Sequence, residues 1–222
     1  ADIAAARYTG TDVTTILKIE AITDPEKAVR VTEQEFKKRY GQIRFSSYGF
    51  DNTFVFLVKK ETAEKYNLKK VSDLENISEE LTVGTDRPWL TREGDGYPGF
   101  IEEYGFKFKK MLPMQIGLVY DAVAAGKVDV VLGYSTDGRI MSNHLVALED
   151  DRNFFPPYDA VMIANQSFLQ RDPQMQQVLS KLEGVITTET MQSLNFEADN
   201  NLLEPAIVAQ RFLQENNYFE DK

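Results

Sequence analysis

The strongest constraint on the fold is a segment in which strand-like apolar runs alternate with helical patterns. The run LTVGTD at residues 81–86 ends in small and acidic residues, and GFIEEYGF at 99–106 has apolar side chains at helical spacing. A second helical pattern, IGLVYDAVAAG, ends at Gly126, and VDVVLGY at 128–134 is a second buried strand. This alternation predicts a parallel, doubly wound sheet. Ligands bind such sheets beyond the carboxyl ends of the strands, where YSTDG at 134–138 lies.

Two further apolar runs frame this segment. NTFVFLVKK at 52–60 and YDAVMIANQ at 158–166 each lead into a helix-like stretch, and the block between them has about 100 residues, the usual size of one domain. We therefore expect a two-lobed α/β protein. Lobe 2, residues 58–156, is inserted into lobe 1, which comprises residues 1–57 and 157–222.

The tail of the chain reads as two helices. Thr188 is the predicted N-cap of the first helix, because threonine side chains accept hydrogen bonds from the free N–H groups of a helix start. Pro205 is predicted to lie at the start of the second helix, where its missing N–H costs nothing.

A short internal echo links the start of the chain to its middle. ADIAAARYTGTD at 1–12 and VDVVLGYSTDG at 128–138 each deliver a tyrosine and small hydroxyl residues to the end of a strand. If the echo is a repeat, each lobe offers an aromatic side chain, Tyr8 or Tyr134, from an equivalent position. The second copy is preceded by a strand and a helix, whereas the first copy has nothing before it. We therefore expect the N-terminal part of lobe 1 to be missing from this chain.

Charge and composition exclude several functions. The formal charge of −10 opposes a large phosphate-binding surface and argues against nucleic acid as a partner. The chain has no cysteine, and its one histidine, His144, has no second histidine to complete a metal site or a Ser-His-Asp triad. His144 is therefore expected to be a surface or boundary polar residue. We predict no metal and no cofactor.

The glycines of EGDGYPGF match the dinucleotide-binding fingerprint in spacing only. Gly94, Gly96 and Gly99 form G-x-G-x-x-G, but WLTRE separates them from the preceding strand and Pro98 adjoins the third glycine. A flexible loop is favoured over a nucleotide site. Adjacent acids such as Asp150 and Asp151 are typical of a solvated loop. An α/β enzyme acting on a small molecule, through acids near Asp137 or through the GDGYPG loop, remains the alternative class, although no nucleophile supports it.

Four aromatic residues occupy strand ends or turns instead of the middle of a periodic face. They are Tyr8, Phe54, Tyr134 and Tyr158. Each alone is more often structural than functional. Together they suggest an aromatic cage, because the faces of such rings attract quaternary ammonium groups through their quadrupoles.

Four long segments resemble one known family. YGFDNTFVFLVKKETAEKYNLKKVSDL, GDGYPGF, MQIGLVYDAVAAGKVDVVLGYSTDGRI and LEDDRNFFPPYDA are similar to the extracellular substrate-binding proteins of osmoprotectant ABC importers. The nearest type is the broad-specificity OpuC receptor, with the choline-restricted OpuB receptor beside it. The resemblance covers essentially the whole chain and implies a two-lobed, type II periplasmic-binding-protein fold. Complete members have a further strand, helix and strand before RYTGTD, which agrees with the expected missing part of lobe 1.

The resemblance also implies a set of ligand-binding residues. The aromatic box corresponds to Tyr8, Phe54, Tyr134 and Tyr158, with phenylalanine at 54 where relatives have tyrosine. Thr11 matches a threonine that helps to hold a carboxylate tail, where the choline-restricted type has an acid, and Asn52 matches a polar residue of the same cleft. Arg92 is either a further carboxylate partner or an ion-pairing residue of its own loop.

The expected function is that of a solute receptor. It would close two lobes on glycine betaine, carnitine, choline or a related compound and deliver it to a membrane permease. Ergothioneine is the alternative ligand, since close relatives of this receptor type serve that importer. The implied location is the extracellular face of the bacterial membrane, with the receptor either anchored as a lipoprotein or fused to its permease.

Overall fold

A computed structural model describes residues 1–219, and it divides the chain into two compact units. Unit 1 comprises Ala1–Asn52 and the chain from Pro157 onward, and unit 2 comprises Thr53–Pro156. None of the helices in the described residues is long and apolar enough to cross a membrane.

The strands and helices follow one another in the order expected of a mixed α/β protein. The strands are β1 Ile3–Tyr8, β2 Gln42–Asp51, β3 Phe54–Lys59, β4 Thr82–Thr85, β5 Lys110–Pro113, β6 Val130–Tyr134, β7 Leu145–Ala147 and β8 Asp159–Asn165. The α-helices are α1 Thr9–Thr11, α2 Pro25–Tyr40, α3 Lys60–Tyr66, α4 Tyr97–Tyr104, α5 Ile116–Ala124, α6 Arg139–Ser142, α7 Gln166–Arg171, α8 Gln174–Ser180, α9 Thr188–Asn200 and α10 Pro205–Glu215. A π-helix spans Asp12–Ile16, and 3-10 helices span Val71–Glu80 and Pro88–Leu90.

Unit 1 contains a three-stranded sheet with β8 at its centre. β8 pairs antiparallel with β1 on one side and with β2 on the other. Helix α2 begins after Asp24, whose carboxylate accepts a 2.8 Å hydrogen bond from the Lys27 N–H, and it packs Phe36 against the β8 residues Val161 and Ile163. The parallel pairing predicted for residues 81–134 concerns the other unit and does not extend to this sheet.

Unit 2 contains a five-stranded mixed sheet in the order β5-β4-β6-β3-β7. The parallel pairing predicted between the strands near 81–86 and 128–134 is confirmed, since β4 runs parallel to β6. β3 is antiparallel to both β6 and β7. Because β3 begins at Phe54, residues 54–57 belong to the sheet of unit 2, and the boundary falls between 52 and 53 instead of between 57 and 58.

The two faces of the unit 2 sheet bury different side chains. On one face Phe56 contacts Phe100, with ring centroids 5.2 Å apart, and Trp89 at 6.0 Å. On the other face Val119 and Val123 of α5 pack on the sheet. This separation follows from the alternation of side chains along a strand, which sends neighbouring residues to opposite faces.

Helix ends follow the predicted signals closely. Pro205 is the first residue of α10, as expected, and Gly126 has φ +67° directly after α5. The N-cap of α9 is Thr187 instead of Thr188, since the Thr187 hydroxyl accepts a 3.1 Å hydrogen bond from the Thr190 N–H.

The G-x-G-x-x-G spacing has a steric cause. A Cβ on Gly99 would lie 1.9 Å from the Gly94 carbonyl oxygen, and a Cβ on Gly96 would lie 2.1 Å from the Arg92 oxygen. Gly99 lies inside α4 and Gly96 precedes its first residue. The segment is therefore a tightly folded turn that leads into α4, and its flexibility stays a prediction.

Replacing Gly99 with alanine should destabilise unit 2 by about 3 kcal/mol, because the new methyl group would overlap a backbone oxygen. Trp89 is the only tryptophan of the chain and is 1% exposed in unit 2, so its fluorescence during urea unfolding measures this change. Glu93→Ala, at an exposed position of the same turn, is the control and should shift the transition very little. Unchanged stability of Gly99→Ala would contradict the steric explanation.

Candidate ligand-binding residues

The seven predicted ligand-binding residues are divided between the two units. Unit 1 holds Tyr8, Thr11, Asn52 and Tyr158, and unit 2 holds Phe54, Arg92 and Tyr134. In unit 2 strand pairing brings Phe54 and Tyr134 together from distant parts of the chain.

In unit 2 the strand register places Phe54 directly opposite Tyr134. The two residues are partners in the antiparallel pair of β3 and β6, and their ring centroids are 5.3 Å apart with the rings tilted by 33°. Phe155 backs this pair at 5.5 Å from the Phe54 ring. Side chains that face each other across two strands are close enough to act as one surface. Phe54, the first residue of β3, and Tyr134, the last residue of β6, therefore form one surface, which we call the aromatic corner.

Arg92 reaches this corner from the glycine-rich turn. Its Nε lies 2.5 Å from Oδ1 of Asp95, and its guanidinium carbon lies 5.7 Å from the centroid of the Phe54 ring. The ion pair within the loop, one of the two predicted roles, is therefore present. The same geometry brings a cationic group to the face of a predicted box residue.

The Tyr134 phenol stays neutral in this environment. Burial, and then the negative charge of Asp86, raise the pKa of Tyr134, while the positive charge of Arg92 opposes them. Tyr134 therefore offers a ring and a protonated hydroxyl at neutral pH.

In unit 1 the turn after β1 packs on Tyr158. Tyr8 ends β1, and the Gly10 N–H donates a 2.8 Å hydrogen bond to the Pro157 carbonyl. A Cβ on Gly10 would lie 3.0 Å from the Tyr158 ring, so a larger residue would fit only if that ring moved by a few tenths of an ångström. The Asn52 N–H donates to the Tyr158 carbonyl at 3.1 Å. Backbone contacts thus tie Asn52 and the turn to Tyr158.

The side chains of unit 1 differ in exposure. Tyr8 is half-buried, Tyr158 is buried, and Thr11 in α1 is exposed. The exposed hydroxyl of Thr11 is accessible to a ligand group, whereas the neighbouring Thr9 is completely buried.

Two ion pairs stabilise the turn that follows β1. Arg44, whose side chain is 2% exposed, lies 2.5 Å from Asp159 and also donates a 3.0 Å hydrogen bond to the Thr9 hydroxyl. Arg7 pairs with the buried carboxylate of Asp12, whose pKa is raised by burial and lowered by Arg7. These residues were not anticipated from the sequence, because a charged residue within a strand gives no local sign of its partner.

The adjacent acids Asp150 and Asp151 both accept hydrogen bonds from other residues of unit 2. Asp150 accepts hydrogen bonds from the Tyr104 hydroxyl at 2.5 Å and from the Phe155 N–H at 2.9 Å. Asp151 accepts from the Ser72 hydroxyl at 2.5 Å. His144 is exposed. Within residues 1–219 no group of three or more acidic or histidine side chains could hold a metal ion.

Comparison with known proteins identifies the family. Residues 1–215 match the family model OpuAC, described as the substrate binding domain of ABC-type glycine betaine transport systems. The chain belongs to this family. The likeness agrees with the resemblance noted in the sequence and extends over nearly all of the chain.

Two relatives and one solved structure show which members of the family this chain is similar to. The chain is 54% identical over 221 residues to the carnitine transport binding protein OpuCC of Listeria monocytogenes, covering 100% of this chain and 72% of the relative. It is 31% identical over 182 residues to the ergothioneine transport permease/ergothioneine binding protein EgtU of Helicobacter pylori, covering 82% of this chain and 33% of the relative. A crystal structure of a glycine betaine/carnitine/choline ABC transporter is 52% identical, with a TM-score of 0.95, covering 99% of this chain and 80% of that one.

Family membership establishes the general function. The chain is a substrate-binding component of an osmolyte ABC transport system, which implies a small-molecule ligand and a permease partner. The α/β binding-protein fold implied by the resemblance is confirmed. The alternative of an α/β enzyme is wrong, since the relatives are binding proteins of transporters.

Replacing Arg44 with methionine should destabilise unit 1 by about 3 kcal/mol, because it leaves the Asp159 carboxylate with no charge partner beneath the turn. Arg30→Met, which breaks the exposed pair of Arg30 with Glu26, is the matched control and should cost at most about 0.5 kcal/mol. Urea unfolding followed by far-ultraviolet circular dichroism measures both variants. Equal stability of the two would contradict a supporting role for Arg44.

Proposed function

We propose that this chain captures a trimethylammonium or betaine-type compound in an aromatic cage formed by residues of both units. The candidate ligands are glycine betaine, carnitine, choline and related compounds. The two units act as the two lobes of the receptor, and the ligand favours the closed state because only that state supplies all the walls.

The observation that carries this proposal is the pairing of Phe54 and Tyr134. Two aromatic rings 5.3 Å apart at a strand end form a surface of the kind that attracts a quaternary ammonium group. Since a ring face acts through its quadrupole, the missing phenol hydroxyl at Phe54 leaves this attraction in place. Tyr8 and Tyr158 of unit 1 are the other proposed walls, and the packing of the turn after Tyr8 on the Tyr158 ring supports their assignment to one site.

A carboxylate tail on the ligand would be bound by polar groups beside the rings. Thr11 has an exposed hydroxyl that can donate a hydrogen bond, and Asn52 adjoins Tyr158 through its backbone. Arg92, already close to Phe54, can add a charge-assisted hydrogen bond. This arrangement favours betaines and carnitine, which carry a carboxylate, and still accepts choline through its cationic head.

Ergothioneine is the second candidate ligand. It combines a trimethylammonium group with a carboxylate, and the 31% identical relative from Helicobacter pylori is described as an ergothioneine binding protein. The higher identity to a carnitine transport binding protein, 54%, favours the osmoprotectants.

Delivery to a permease would occur at the extracellular face of the bacterial membrane. We propose that the receptor is held there either by a lipid anchor or by fusion to the permease. The absence of cysteine is compatible with both an extracellular and an intracellular location. The proposed location is therefore inferred from the function of the family.

Calorimetric titration with a ligand panel tests the proposal. Glycine betaine, carnitine, choline and ergothioneine should be titrated separately, with tetramethylammonium as a ligand that has the head group alone. At least one trimethylammonium compound should release or absorb heat and raise the melting temperature. No heat and no thermal shift with any of them would reject the proposed function.

Substitution of Tyr134 separates the role of its ring from that of its hydroxyl. Tyr134→Ala should weaken binding about 30-fold, since a cation–π contact shielded from water is worth about 2 kcal/mol. Tyr134→Phe keeps the ring and should change the dissociation constant by no more than about twofold. Tyr66→Ala, at an exposed tyrosine of the same unit, is the control. Full affinity of Tyr134→Ala would remove this ring from the cage.

A further inference from the structure

Tyr120 lies beneath the strand end that carries Tyr134. It belongs to α5, is 0% exposed, and packs so closely under β6 that a Cβ on Gly133 would lie 2.7 Å from the Tyr120 hydroxyl oxygen. The backbone N–H of Tyr134 donates a 2.9 Å hydrogen bond to that oxygen. The glycine before Tyr134 is therefore required by a phenol that holds the Tyr134 backbone.

This hydrogen bond replaces a missing strand neighbour. The N–H of Ser135 donates to the Thr53 carbonyl at 2.9 Å, on the side of β3. Successive N–H groups along a strand point to opposite sides, so the Tyr134 N–H faces the side of β4. β4 has ended at Thr85, and the hydroxyl of Tyr120 takes the place of a strand carbonyl.

Asp137 and Arg139 lie next to Tyr120. Burial raises the pKa of the Tyr120 phenol and the negative charge of Asp137 raises it further, so the phenol stays protonated. Arg139 donates two hydrogen bonds to the Asp137 carboxylate, from Nε to Oδ1 at 2.8 Å and from Nη2 to Oδ2 at 2.6 Å. Its Nη1 donates to the Gly117 carbonyl at 2.8 Å, and its guanidinium carbon lies 4.6 Å from the centroid of the Tyr120 ring.

We infer that Tyr120 is a positioning residue of the ligand site, which fixes Tyr134 opposite Phe54 through the Tyr134 backbone. Arg139, which is paired with Asp137, lies over the Tyr120 ring and holds the phenol in the place where its oxygen accepts this bond. The inference rests on the proposed function, since it assigns to Tyr120 a part in ligand binding without contact to the ligand.

Tyr104 provides a matched control in the same unit. It is 1% exposed, its hydroxyl donates to Asp150 at 2.5 Å, and it accepts from the Arg152 N–H at 3.4 Å. The Arg152 guanidinium lies 5.2 Å from its ring centroid. The two tyrosines share burial, a nearby carboxylate, a backbone N–H that donates to the hydroxyl and an arginine over the ring. Only Tyr120 is bonded to the backbone of a predicted ligand-binding residue.

The test compares Tyr120→Phe with Tyr104→Phe. Each should lower the melting temperature by about 2–8 °C, because each loses a buried hydrogen bond. The dissociation constant for the tightest ligand of the panel should rise about fivefold in Tyr120→Phe, the value of one ordinary hydrogen bond, and should be unchanged in Tyr104→Phe.

A second measurement does not depend on any ligand. Amide hydrogen exchange followed by NMR should accelerate at least about tenfold at Tyr134 in Tyr120→Phe, because its N–H loses its acceptor. The amide of Leu132, two residues earlier in β6, serves as the internal reference and should keep its rate.

Each outcome decides between the inference and the proposed function. Unchanged affinity in Tyr120→Phe, with or without faster exchange at Tyr134, overturns the positioning role, and so does an equal loss of affinity in both variants. If the wild-type chain binds no ligand of the panel, the proposed function is overturned, and the role of Tyr120 in ligand binding is overturned with it. The Tyr134 exchange rate then still confirms or overturns the hydrogen bond itself.

Discussion

The antiparallel pairing of β3 with β6 is the constraint on which the aromatic corner of unit 2 depends. It joins residues 80 positions apart in sequence and sets Phe54 against Tyr134 at the end of the ladder. A shift of one residue would turn each ring to the opposite face of the sheet, because side chains alternate along a strand. The register is fixed by the rest of the ladder, where Phe56 and Val58 of β3 are buried on the aromatic face and Leu57 is buried on the other.

In unit 1 the turn after β1 is held by ion pairs in addition to apolar packing. This turn lies over Arg44 and Asp159, which pair across β2 and β8, and Arg7 holds the first residue of the following helix, Asp12. Buried ion pairs add little stability by themselves, but they penalise any arrangement that leaves one partner alone. The turn is thereby restricted to one position relative to Tyr158. In unit 2 the turn after β6 also contains an ion pair, between Asp137 and Arg139.

Much of the fold could be predicted from local patterns, and what could not depends on distant contacts. Apolar runs located β3, β4, β6 and β8, and a glycine and a proline marked the end of α5 and the start of α10 correctly. The direction of β3 and β8 was not predictable, since it is decided by strands that lie far away in sequence. The helical pattern predicts Tyr120 as part of an apolar helix face, and its ring is indeed buried in an apolar cluster. The pattern gives no information about the hydrogen bond of its hydroxyl. The four aromatic residues could be selected because they stand at strand ends, and their membership of a site remains a proposal.

The order of strands in the two sheets has a consequence for the way the chain assembles. Unit 2 is one continuous segment, so all five of its strands are available once residue 156 has been synthesised. In unit 1, β1 and β2 each pair with β8 and not with each other, and β8 begins only at Asp159. β1 and β2 therefore cannot pair with β8 until the whole of unit 2 has been synthesised. Closing so long a loop is slow, so the sheet of unit 1 is expected to form after that of unit 2.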